Sequence, residues 1–168
     1  MVRRQLYGKL RLFRQCIDPV HVWPWWVFVQ YHPWEARSCR LMIRLLVGEH
    51  ELQSCIYNRP DRRTGPPTQT CHLCDEYAEE NVPHLLFRCS TFGKHRKRLW
   101  DSIIDEAPLC MTKEMDRMNP NELTVFWLSG FNCKYVHEWV NLYSSVCAYI
   151  TTLYRLRIST LPDYPMSL

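Results

Sequence analysis

A chain of 168 residues with 46% hydrophobic and 23% charged side chains can bury a core of its own and is too apolar to be a disordered segment. Its net charge of +4 is compatible with nucleic acid without requiring it. The nine cysteines are an odd number, which argues against a secreted disulfide framework.

The N-terminal sequence is basic and then apolar, but the apolar stretch of residues 20–29 is interrupted by His21 and Pro24. It is too short to span a bilayer, and no small-residue cleavage site follows it. Residues 1–17 carry five Lys or Arg and no acid, which leaves a mitochondrial presequence as an alternative, although serine is absent. The expectation is an intracellular protein, nuclear or cytoplasmic, with no membrane contact and with thiols that are free or metal-bound.

Residues 1–35 read as an irregular, basic and aromatic arm. The stretch WPWWVFVQYHPW contains four tryptophans and two prolines, and each proline biases the residue before it away from helix. It is either an aromatic strap over the core or a surface for base stacking or partner docking. A helix is expected next. Ala36, Cys39, Met42, Ile43 and Leu46 share one face, and Gly48 stands where a left-handed C-cap would fall. Arg37, Arg40 and Arg44 form a stripe on another face, which is either solvated or a phosphate contact. Residues 58–70, with three prolines, one glycine and three arginines, read as a loop.

After Cys89 a further helix is expected, capped by the hydroxyl of Ser90 or Thr91, burying Phe92, Leu99, Trp100, Ile103 and Ile104 and ended by Pro108. It carries a basic cluster of Lys94, Arg96, Lys97 and Arg98, just beyond Arg88. Residues 111–122 read as a polar connection and residues 123–131 as a short apolar helix or strand. Residues 134 to about 158 make an amphipathic helix, with Val136, Val140, Tyr143, Cys147, Ile150 and Tyr154 recurring every three or four positions.

Cys71 and Cys74 lie in a polar, acidic stretch where a packed core is not expected, and His84 and Cys89 follow. A Cys-x2-Cys turn directs two thiolates at one centre, and an imidazole and a third thiolate complete the tetrahedron that zinc requires. Asn81 can cap the helix that carries His84, and Pro83 falls in its first turn. Five residues of regular helix would set His84 and Cys89 apart by about 140°, so the helix is expected to loosen before Cys89. His72 and His95 compete for the fourth position. The alternative is that these are buried free thiols, which is the ordinary expectation for the isolated Cys16, Cys39, Cys55, Cys110, Cys133 and Cys147. Four protein ligands would leave no open position, which is the pattern of structural rather than catalytic zinc.

The segment CHLCDEYAEENVPHLLFRCSTF resembles the zinc-binding segment that follows the polymerase in non-LTR retrotransposon reverse transcriptases. Cys71, Cys74, His84, Leu85, Leu86, Phe87, Cys89 and Phe92 match it, and Arg44, Leu45, Leu46, Gly48 and Leu52 match the stretch before it. The resemblance covers roughly residues 32–105. Ser90 replaces the usual proline, Asp75 the usual glycine, and Pro83 the usual acid. No Asp-Asp pair occurs in the chain, so the two-metal site of a polymerase is absent from its sequence.

The expected protein is mainly α, a small zinc-stabilised helical domain over residues 36–107 with an arm before it and a helical extension over 108–168. Its expected role is non-enzymatic binding of RNA or single-stranded DNA through Arg88, Lys94, Arg96, Lys97 and Arg98, joined by Arg37, Arg40 and Arg44. The rival readings are a protein–protein adaptor that docks a partner through the C-terminal helix, a decayed retroelement fragment without function, and a zinc enzyme.

Overall fold

The computed structural model describes residues 24–50, 52, 54, 69–130 and 136–160. These are mostly helical, and among them the only β pairing is an isolated antiparallel bridge between Thr70 and Glu79. The arginines of the expected loop, Arg59, Arg62 and Arg63, lie outside the described residues, as do Cys16, Cys55 and Cys133.

Helix α1 spans Pro24–Tyr31, where an irregular arm was expected. Pro24 takes its first position, where a fixed φ suits the helix and the missing N–H costs nothing. Pro33 acts on His32 instead, which leaves the helix at φ −128° and ψ 65°. A 3-10 turn, Pro33–Glu35, leads into α2, Ala36–Val47. Gly48 closes α2 in the left-handed conformation, with φ 77°. The buried face of α2 is Cys39, Met42, Leu45 and Leu46, so it is rotated from the expected face. Ala36 is exposed and Ile43 half-buried.

Helix α3, Gly93–Glu106, buries Ile103 fully and Leu99, Trp100 and Ile104 in part. The expected polar connection is instead a helix, α4, Leu109–Met115, which buries Met111 and Met115. Methionine fills irregular gaps, and two of them four residues apart mark a buried side within an otherwise polar sequence. The apolar segment after it is α5, Pro120–Ser129. Asn119 accepts from the backbone of Asn121 and Glu122 while the Glu122 carboxylate accepts from the Asn119 N–H, a complete capping box.

Helix α6, Val136–Ser159, is the hub, and α1, α2 and α3 all pack on it. Its contacts make one continuous core from Phe28 to Tyr154, which crosses both expected domain boundaries, at 35/36 and 107/108. The apolar face of α6 is covered by α1, α2 and α3. Two aromatic clusters tie the layers together. Trp127 stacks on Trp100 at 5.1 Å and meets Phe87 and Tyr149 edge-on at 5.2 and 4.9 Å. Tyr143 stacks on Trp139 at 4.0 Å and meets Phe28 edge-on at 4.9 Å. No helix among the described residues is long and apolar enough to cross a membrane.

Candidate metal centre

Cys71, Cys74, His84 and Cys89 converge, with their donor atoms all within 4.8 Å of one another. Cys71 Sγ lies 3.9 Å from Cys89 Sγ, and Cys74 Sγ lies 3.4 Å from His84 Nε2. A tetrahedral ion at ~2.3 Å from sulfur and ~2.0 Å from nitrogen would set these edges near ~3.8 and ~3.5 Å. Two of the six edges therefore already have tetrahedral lengths, and the four residues could hold a metal ion. His72 and His95, the competing histidines, are both exposed.

Local chain geometry produces this convergence. Cys71 N–H donates to Ala78 O at 2.8 Å and Glu80 N–H to Gln69 O at 2.7 Å, framing the loop as a short hairpin around the Thr70–Glu79 bridge. Tyr77 turns the chain back with φ 51°, a left-handed conformation that costs a non-glycine residue roughly 1–2 kcal/mol. On the other side, Asn81 Oδ1 accepts from His84 N–H at 2.9 Å, which is the expected cap. The loosening expected before Cys89 is a π turn over His84–Arg88, in which Cys89 N–H donates to His84 O at 2.8 Å. That i→i+5 bond brings His84 and Cys89 onto the same side, where a regular helix would separate them.

Side chains bond carbonyls within and just after the π turn. Tyr149 O–H donates to Leu86 O at 2.5 Å, and Arg96 Nη1 donates to Cys89 O at 2.9 Å. Thr91 does not cap α3 as expected. Its hydroxyl donates to Leu73 O, joining the two cysteine-bearing turns, while Phe92 takes the N-cap position with no side-chain hydrogen bond.

Burial makes the bare thiols hard to ionise. Desolvation pushes Cys71 up to about 12, against a hydrogen bond from Leu73 N–H, and pushes Cys89 up, against one from Thr91 N–H. Those two amides would support thiolates once a cation removes the desolvation cost. Burial pushes His84 down, which keeps it neutral and able to donate a lone pair. His84 Nδ1 is buried without a hydrogen-bond partner among the described residues, so only Nε2, facing Cys74, is engaged.

The basic residues divide. Arg37, Arg40, Arg88, Lys94, Lys97 and Arg98 are exposed. Arg96 holds the Cys89 carbonyl, and Arg44 Nε donates to Glu49 O at 2.9 Å, so both serve the fold. Lys94, Lys97 and Arg98 line an open groove of about 700 Å³ that also contains Asp101, Asp105 and Glu106. The basic cluster is thus one end of a mixed-charge face. Among the cysteines expected to be core, Cys39 and Cys147 are buried, whereas Cys110 is exposed. Sequence reasoning passed over Glu80 and Arg157, a buried ion pair beside the site. A lone arginine on an otherwise apolar helix face was the available signal.

The chain matches no protein-family model, no curated protein and no solved structure.

Proposed function

We propose that this chain is a zinc-stabilised, non-catalytic nucleic-acid-binding domain of retroelement origin, with RNA or single-stranded DNA as its ligand. Three thiols and one imidazole are a donor set suited to zinc, soft enough to disfavour magnesium or calcium. With all four positions taken by protein, the ion would act on folding rather than on a substrate, contributing on the order of 10–16 kcal/mol. The observation that carries the binding role is the exposed cations on either side of the last ligand, Arg88 before it and Lys94, Lys97 and Arg98 after it, the last three on a helix that Arg96 anchors to Cys89. The metal would thereby position the phosphate-facing residues. The resemblance of residues 71–92 to the retrotransposon zinc segment supports the same reading.

Two measurements test it. Native mass spectrometry should find one zinc per chain, lost in Cys74→Ser and His84→Ala. Fluorescence anisotropy with a labelled single strand should show affinity falling with salt, and Lys94→Ala/Lys97→Ala/Arg98→Ala should lower the slope by about 2. Zinc binding without any oligonucleotide binding would retain the metal centre and remove the function.

A further inference from the structure

We propose, resting on that reading, that Trp34 is a stacking platform for an unpaired base of a single-stranded nucleic acid, with Arg37 and Arg40 holding the adjoining phosphates. Trp34 is 71% exposed and Tyr31, three residues earlier, 70% exposed. These are two large aromatic rings at one corner of a protein that buries Trp127 and Trp139 completely.

The indole is held in place from within. It meets the His32 ring edge-on at 5.2 Å, His32 stacks on Phe28 at 4.6 Å, and Phe28 meets Tyr143 edge-on at 4.9 Å. Phe28 and Tyr143 are fully buried. The ladder therefore runs from the core to the surface and ends on an exposed ring, which lowers the entropy lost when a flat partner stacks on it.

Charge selects the partner. The 3-10 turn passes directly into α2, and residues three apart lie on one helical face, so Arg37 follows Trp34 and Arg40 follows Arg37 along one side. Both arginines are exposed. The acid between them and the ring, Glu35, accepts a hydrogen bond from Ser38 Oγ at 2.8 Å. An aromatic face beside two cations matches a base and its phosphates. The groove on α3 differs, since its cations share the groove with Asp101, Asp105 and Glu106. The α2 corner would read the base, and the α3 cluster would add affinity without preference for single strands.

The test uses the zinc-loaded full chain and anisotropy with labelled oligo-uridine and a duplex of equal length. Trp34→Ala should weaken oligo-uridine binding about ten-fold or more, with an unchanged salt slope and unchanged duplex binding, and Trp34→Phe should restore most of the loss. Arg37→Ala/Arg40→Ala should lower the single-strand slope by about 1.4. Wild-type affinity in Trp34→Ala, alongside a loss in the α3 triple variant, overturns the platform and leaves the binding role intact. An equal loss on duplex, or a loss of zinc or helix content in Trp34→Ala, makes Trp34 a fold residue and overturns it as well. A wild-type chain that binds a protein partner through Trp34 and no oligonucleotide overturns both readings.

Discussion

Arg157, near the end of α6, forks onto Glu80 beside the metal loop, Nε to Oε1 and Nη2 to Oε2, the second at 2.9 Å. Both side chains are almost wholly buried. Glu80 N–H is one rung of the hairpin that carries Cys71. The pair therefore couples the docking of the longest helix to the shape of the candidate metal centre. Tyr149, two turns earlier, makes a second link through the Leu86 carbonyl.

Removing one member of this pair leaves a buried charge alone. Arg157→Ala should destabilise the zinc-loaded chain by about 3–5 kcal/mol. The double variant Glu80→Leu/Arg157→Met, which removes both charges and keeps the volume, should lose less than either single change. Urea denaturation curves give both numbers. A double variant as unstable as the sum of its singles would show that the pair does not compensate itself.

Tyr149→Phe removes the donor to Leu86 O and leaves a buried carbonyl unpaired. A loss of about 1–3 kcal/mol is expected. The carbonyl lies within the π turn that aligns His84 with Cys89, so zinc affinity should weaken as well. Competition against a chromophoric chelator reads this, and unchanged zinc affinity would disconnect the tyrosine from the centre.

Zinc binding should depend on pH with a definite sign. Burial raises the thiols of Cys71, up to about 12, and Cys89, so both are protonated near neutrality before the ion enters. Each must lose its proton to bind. The loaded fold thus holds fewer protons than the metal-free chain. The stability that zinc contributes is present at higher pH and is lost as pH falls. The same chelator competition, run across neutral and mildly acidic pH, should show log affinity rising by about three per pH unit, one for each of the three thiols that must ionise. A flat profile would contradict thiolate ligation.

Asn119→Ala breaks the capping box of α5 and should cost about 1 kcal/mol. Zinc content should not change, because the cap lies outside the metal loop. A thermal melt and a zinc assay on the same sample separate the two effects.

Much of the centre is legible in the sequence because it is local. The Cys71-x2-Cys74 spacing, the Asn81 cap and the mismatch between His84 and Cys89 are consequences of bond lengths and helical pitch over a few residues, and the π turn is the relief that this mismatch demands. The Gly48 C-cap of α2 and the amphipathic periods of α3 and α6 are local in the same way. Tertiary structure alone decided what depends on distant partners. Glu80 looks like one more solvated acid until Arg157, 77 positions away, is brought beside it. Thr91 looks like a cap until Leu73 offers a carbonyl, and Met111 and Met115 look like linker until Trp127, which donates to Met115 Sδ at 3.4 Å, needs a neighbour. Pairings of this kind arise only when α6 packs against the rest of the chain, since the free energy that orders them comes from burying a shared core rather than from any single segment's preference.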